Sequence, residues 1–276
     1  MKLKEAVLAL AGVIVVATTV SAEPSPEAVE WLDRLEHVYD KGPFSLRYET
    51  EVNVLRAGLQ QSIKTRGRAS QAGRKQFRFE VSMETVTSGS DSGTTMNMIG
   101  ASDGEVFWLE VDNVTTGRRR VFRMPTDKLE NAVQRNHPIA QNISRMDPVS
   151  QIRKLATMFE FEIGGRTENS ITLVAEVTDE VRGQVGKTIP GDPSKLEEVT
   201  ITFDTRTEFP TEVRFCEETP VMWIGITEFE YLDAVDEAVF RYEPPEGVDV
   251  VNFGDSLKGA SEPRDSADPE NDRPTD

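Results

Sequence analysis

The chain has one cysteine, Cys216, and two histidines, His37 and His137. A single thiol excludes an internal disulfide, so stability must come from a packed core. Flanked by Phe215 and Glu217, Cys216 reads as a half-buried packing residue rather than a redox centre. The two histidines lie far apart, with no cysteine near either. That spacing does not make a zinc site, and both read as structural or surface groups. Catalytic signatures are missing as well. Gly89-Ser90-Asp91-Ser92-Gly93 has the outline of a nucleophile elbow, but Asp91 stands where the nucleophilic serine would be. Glu217-Glu218 and the acidic C-terminal stretch lack the Asp-x-Asp-x-Asp-Gly calcium pattern. The residues therefore point away from an enzyme, and no metal or other cofactor is expected. Positive charge is scarce too: 31 Lys and Arg face 48 Asp and Glu, for a net charge of -17. Such a surface repels nucleic acid and anionic headgroups and argues against binding either electrostatically.

The chain opens on a basic pair, Lys2 and Lys4, followed by the apolar run Ala6 to Val20. The run falls short of the ~20 residues that span a bilayer. It ends at the small-residue site Val20-Ser21-Ala22. Residues 1–22 thus read as a secretory signal cleaved after Ala22. No cysteine follows the cleavage site, so the exported protein is expected to be soluble rather than lipid-anchored. At the other end, residues 255–276 are rich in Asp, Glu, Pro and Ser and read as a disordered acidic tail.

Between these segments the apolar period decides the elements. Pro24 to Lys41 reads as a helix, with Ala28, Trp31, Leu32, Leu35, Val38 and Tyr39 at helical spacing and Gly42 as its stop. From Phe44 the period becomes two. Phe44, Leu46, Tyr48, Val52 and Val54 alternate with polar residues, and so do Phe77, Phe79, Val81 and Met83. Met96 to Ile99, Glu105 to Val111 and Arg118 to Met124 continue an antiparallel meander with one wet face. The pattern breaks at Pro125. Residues 126–135 read as one helix. A second opens on Asp147-Pro148 and carries Val149, Ile152, Leu155, Ala156 and Phe159. Helices inserted into a long sheet must cover one of its faces. Gly164-Gly165 reads as a turn. Strands then resume around Ile171, Leu173 and Ala175, around Val199, Ile201 and Phe203, and around Val213 and Phe215. Met222 to Ile226, Phe229 with Tyr231, and Phe240 with Tyr242 close the series. Residues 83–98 and 179–193 read as the two long loops. No internal repeat or second domain is visible.

Three stretches carry a family resemblance. Phe240-Arg241-Tyr242-Glu243-Pro244-Pro245-Glu246-Gly247-Val248-Asp249-Val250 resembles the C-terminal close of the LolA-like family of periplasmic lipoprotein carriers. Ser102-Asp103-Gly104-Glu105-Val106-Phe107-Trp108 resembles that family's Ser-Asp-Gly turn and the tryptophan-bearing strand after it. Gly67 through Glu80, with Phe77-Arg78-Phe79-Glu80, resembles its strand pair ending in an aromatic-x-aromatic step. The order of elements agrees across nearly all of residues 23–254, the LolA-like lipid-binding domain. The resemblance implies a mainly β (α+β) fold. One strongly curved antiparallel sheet would form a half-open β-barrel, with helices covering the concave face.

It also implies a job. An apolar cavity between sheet and helical lid would hold lipoprotein acyl chains or other lipid. Cargo would pass from an inner-membrane exporter to an outer-membrane acceptor, with the carrier a periplasmic monomer. Each acyl CH₂ removed from water is worth ~0.8 kcal/mol, so such cargo needs a dry carrier. The cavity candidates are Trp31 and Leu35 on the first helix and Ile152, Leu155 and Phe159 on the mid-chain helix. Leu46, Tyr48, Phe77, Phe79, Trp108, Phe203 and Phe215 are the candidates on strands. Each could equally be plain core packing. The family's Arg-Pro-Asn turn corresponds to Gly73-Arg74-Lys75-Gln76, which lacks the proline; Arg74 is the lid-latch candidate. The alternative on the same scaffold is an envelope sensor or interaction module that binds a protein partner or a lipoprotein signal.

Overall fold

The computed structural model describes residues 25–56, 59–73, 75–89, 93–129, 149, 152, 158–179, 181–182, 196–215 and 222–252. Helix α1 is Pro26–Glu36, shorter than the 24–41 span expected from periodicity. A separate 3-10 turn, Val38–Asp40, follows it. Pro26 sits at the start of α1, where its missing N–H costs nothing. Ser25 caps without its side chain: its carbonyl accepts from Val29 N–H at 3.0 Å, and its own N–H donates to the Phe161 carbonyl at 3.2 Å. The cap of the helix is thus tied by backbone to the residue just before Glu162, where the sheet resumes. Ala28, Trp31 and Leu35 form its buried stripe.

The first meander is β1 (Phe44–Arg56), β2 (Leu59–Gln71), β3 (Gln76–Thr87), β4 (Thr94–Asp103), β5 (Val106–Asn113) and β6 (Arg118–Pro125). The second is β7 (Glu162–Arg166), β8 (Ser170–Glu176), β9 (Glu198–Asp204), β10 (Pro210–Phe215) and β11 (Met222–Tyr231). A last short strand is β12 (Val250–Asn252). All twelve lie in one sheet, ordered β12-β6-β5-β4-β3-β2-β1-β11-β10-β9-β8-β7. The two meanders join where β1 pairs antiparallel with β11. Only β12 runs parallel to its neighbour, β6. The outermost strands, β12 and β7, do not pair, so the sheet is curled and open rather than a closed barrel.

Local sequence explains several details. The expected Ser-Asp-Gly turn is the β4–β5 hairpin. Asp103 Oδ1 accepts from the N–H groups of Glu105 and Val106, both at 2.9 Å, an Asx turn of the kind aspartate favours. In β11 the apolar residues change parity, from Met222, Ile224 and Ile226 to Phe229 and Tyr231. The reason is a β-bulge: Tyr48 pairs with Ile226 but Arg47 pairs with Glu228, leaving Thr227 as the extra residue. Two inner-face aromatics lie flat across glycines of the neighbouring strand. A Cβ added at Gly67 would stand 2.3 Å from Tyr48 Cζ, and one at Gly100 would stand 2.1 Å from Phe79 Cζ. Each ring faces its glycine in register. Only glycine admits this approach.

Four sequence expectations change. Gly164-Gly165 is not a turn but the middle of β7, with a register shift between Ile163 and Gly165. The strands run further than expected around residues 83–98, because β3 extends to Thr87 and β4 begins at Thr94. Phe240 does not lie on a strand with Tyr242. It ends a 3-10 turn, Glu237–Phe240, opened by Asp236, whose Oδ1 accepts from Ala238 N–H at 2.9 Å. The chain then runs irregularly to β12. The valine-rich close is therefore a separate edge strand added to β6, not the continuation of an alternating strand. Of the expected mid-chain helices, residues 126–129, 149 and 152 are helical. Most of 130–157 and of the 179–193 stretch, and all of the expected tail, lie outside the described residues.

Candidate functional site

The sheet has two covered faces, and they are built differently. On the inner face, beneath α1, the apolar side chains of both meanders merge into one cluster. Trp31 of α1 lies against Phe203 of β9, ring centroids 5.6 Å apart. Phe209 and Phe229 stack at 3.8 Å, and Phe44 lies beside both. Phe77 touches Phe79 and Phe107 at 6.3 and 5.8 Å. Phe159 meets Phe215 edge-on at 6.1 Å. Toward the far end of β3 and β4 the aromatics give way to Met83, Met96 and Met98, with Ile63 and Val111 beside them. Their unbranched thioethers can fill irregular space.

The cavity candidates mostly share this place. Trp31, Leu35, Leu46, Tyr48, Phe79, Ile152, Phe159, Phe203 and Phe215 are all buried in the inner cluster, and Phe77 is half-buried against it. Leu155 and Arg74 lie outside the described residues. Trp108 is the exception. Phe107, Leu109 and Val111 take the inner face of β5, so Trp108 and Glu110 point to the outer one. Trp108 belongs to the outer face and not to the inner cluster.

Ion pairs fix α1 over the inner face at both ends. Glu27, near its start, pairs with Arg166 of β7. Arg34, near its end, donates to Glu208 Oε1 at 2.9 Å and stacks over Trp31 at 4.2 Å. Lys41 donates to the other oxygen of Glu208. Glu208 has φ +58, the left-handed region that a non-glycine residue rarely adopts. The hydrogen bond from Lys41, aided by the charges of Lys41 and Arg34, holds its carboxyl below the usual range against partial burial. Close by, burial raises the Tyr231 phenol, and the Glu208 charge adds to that. Sequence reasoning missed this latch. Its partners are distant in sequence and each looks like an ordinary surface charge.

The outer face of β3–β6 is covered by the chain's own C-terminal segment, residues 237–252. Phe240 is 2% exposed. Like Ala101 and Val121, it is buried but lies outside the inner cluster. Arg78 reaches the carbonyls of Val239 and Arg241 at 3.4 and 3.3 Å. Its Nε also donates to Glu80 at 2.9 Å, and Arg68 donates to the same carboxylate. Burial acts to raise the Glu80 carboxyl, but the hydrogen bonds and charges of Arg78 and Arg68 together bring it below its ordinary value. Tyr242 donates to the buried carboxylate of Glu110 and lies 5.7 Å from Trp108, over which Arg123 also sits. Burial and the Glu110 contact both push the Tyr242 phenol strongly upward. Two shallow depressions, of about 440 and 710 Å³, flank Arg78 under this segment. Both carry acids and bases together: Arg68, Arg78 and Glu80 line the first, and Arg78, Arg119, Arg241, Glu110 and Glu243 line the second.

No family model matches the chain, and no curated protein matches it. Solved structures similar to it include an uncharacterized conserved protein from Thermus thermophilus, at 13% identity and TM-score 0.39, covering 82% of this chain and 99% of that one. MucB is similar at 14% identity and TM-score 0.38, covering 80% of this chain and 65% of that one. A putative outer membrane lipoprotein-sorting protein domain from Vibrio parahaemolyticus is similar at 9% identity and TM-score 0.27, covering 78% of this chain and 94% of that one.

Proposed function

We propose that this protein is a LolA-like carrier of the bacterial envelope that holds lipid or lipoprotein acyl chains, without bond chemistry, on the inner face of its sheet. One observation carries the reading. An open twelve-stranded sheet gathers all but Trp108 and Trp223 of its aromatic side chains, and its methionines, on one face, under a helix whose apolar stripe rests on that face and whose ends are pinned by ion pairs. Apolar contact is non-directional, so hydrocarbon can take the place of side-chain partners there. At ~0.8 kcal/mol per buried CH₂, one long acyl chain outweighs a few surface ion pairs at ~0–1 kcal/mol each. On this reading an N-terminal signal exports the carrier to the periplasm, and its partners are the membrane machines that load and unload it. The closing test is lipid mass spectrometry of protein purified from its native envelope. Co-purified lipid or acylated peptide, lost in a Phe203→Asp or Met98→Asp variant that stays folded, supports the carrier. Protein that emerges empty, and does not take up a fluorescent fatty acid, sinks it.

A further inference from the structure

Three hairpins, β1–β2, β3–β4 and β5–β6, turn at the same end of the sheet. Their tips are tied to one another. Ser88 N–H donates to the Gln60 carbonyl at 2.7 Å, Val114 N–H to the Thr95 carbonyl at 3.0 Å, and Thr95 N–H to Thr115 Oγ1 at 2.8 Å. The result is one continuous rim. It carries Leu59, Val86 and Val114, exposed to 51%, 43% and 52%. These are three of the six exposed large apolar side chains among the described residues.

The rim also differs in charge. In a chain of net charge -17, residues 56–60, 86–95 and 113–118 carry only three charged side chains, Arg56, Asp91 and Arg118. Arg120 stands exposed just behind it. Neither makes an ion pair among the described residues, whereas Arg119 between them is held by Asp112 at 2.9 Å. The opposite end of the sheet is studded with charges, including Lys75, Asp103, Glu105, Asp127, Lys128, Asp236 and Glu237.

We propose that this rim is a docking surface for an anionic bilayer. Exposed aliphatics can enter the headgroup–acyl boundary, and arginines behind them can meet lipid phosphates. The acidic remainder of the protein is repelled by the same surface, so only the rim can face it. Leu59 and Val86 lie on neighbouring strands but three residues out of register, because Val86 pairs with Ser62, and Val114 follows β5, two strands from β3; at ~3.4 Å per residue and ~4.8 Å per strand the aliphatics stand ~10 Å apart. That spacing suits a fluid interface better than the compact central anchor of a protein interface. The proposal goes beyond the carrier reading. It concerns where the protein meets a membrane, and it holds whether or not the inner face is loaded.

The test is flotation of the purified protein with vesicles of phosphatidylcholine alone and with equimolar phosphatidylethanolamine and phosphatidylglycerol. Binding is expected to the anionic vesicles and to weaken with salt. R118Q/R120Q should lose affinity about fivefold for each arginine removed, at ~1 kcal/mol per basic residue near the surface. L59Q/V86T/V114T should lose binding even at low salt, with an unchanged melting curve because all three side chains are exposed. R66Q, an exposed arginine away from the rim, should bind as the wild type does. Equal binding to neutral vesicles, indifference to either rim variant, or a rim that captures an envelope protein but no vesicle would each overturn the proposal.

Discussion

On β3, Phe77, Phe79, Val81 and Met83 turn to the inner face while Arg78 and Glu80 turn to the outer. Both sets are covered, by opposite means. The inner side chains are buried by contact with other apolar groups, which demands volume and little direction. The outer ones are half-covered by a single segment of the same chain, held through hydrogen bonds with fixed donors and acceptors. A face built the first way can exchange its neighbours for hydrocarbon of many shapes. A face built the second way accepts one partner, and here the protein supplies it. That difference is why the proposed cargo is assigned to the inner face and the outer face is read as structural.

The comparison can be tested in order of effect. Phe203→Ala removes a fully buried ring beneath Trp31. It should cost about 3–5 kcal/mol in chemical denaturation, the range for deleting a core phenylalanine. A loss under about 1 kcal/mol would mean the inner face is not packed as a core. Gly100→Val sets a branched side chain where Phe79 lies. About 1–3 kcal/mol of destabilisation is expected from overpacking, and an unchanged melting temperature would show that the ring is free to leave. Arg78→Ala unfastens the outer segment. Hydrogen exchange at Arg241, whose N–H donates to the Ala238 carbonyl, should speed up, with about 1–2 kcal/mol lost for a charged hydrogen-bond donor. If exchange there is unchanged, Phe240, the Tyr242–Glu110 contact and β12 hold the segment without Arg78.

A smaller effect follows from Glu80. Its carboxyl is held below the unfolded value near 4.5. The group therefore adds stability above that value and loses it as pH falls through the lower, folded one. Glu80→Gln should flatten this part of the acid limb of a stability-versus-pH curve, leaving the contributions of Asp204 and Glu208, which are depressed likewise. A curve of identical shape would place Glu80 outside the network. Smallest of all, the exposed Arg66–Glu49 pair at 3.1 Å should show a double-mutant coupling of about 0.5 kcal/mol or less.

Much of this was readable in the chain because alternation reports a face directly. β1, β3, β8 and β9 follow the parity of their apolar residues, and the stripe Ala28, Trp31, Leu35 locates α1. What escaped has physical causes. Trp108 looks like an inward aromatic, yet it shares parity with Glu110, and that acid marks the outer face. The aromatic is tolerated there because residues 237–252 fold back over it, a contact no local pattern announces. Tyr242 seemed to sit on a strand because Phe-x-Tyr alternates, but the Asp236 cap winds the preceding residues into a 3-10 turn. The bulge at Thr227 could be read from the parity switch alone. The latch on Glu208 could not, since Arg34, Lys41 and Glu208 meet only once the sheet has formed. Leu155 and Arg74, the remaining site expectations, lie outside the described residues.

The seam between β1 and β11 has a consequence for how the chain is made. Leu46 must find Phe229, while every other antiparallel pair in the sheet joins strands adjacent in sequence. Local hairpins close quickly, and contacts of such long separation close late. During synthesis, which delivers the N-terminal half first, the β1–β6 ribbon can assemble while the far side of β1 still shows its row of unpaired amides and carbonyls. Such an edge invites pairing with other chains until its own partner arrives. The first strand made waits for the eleventh.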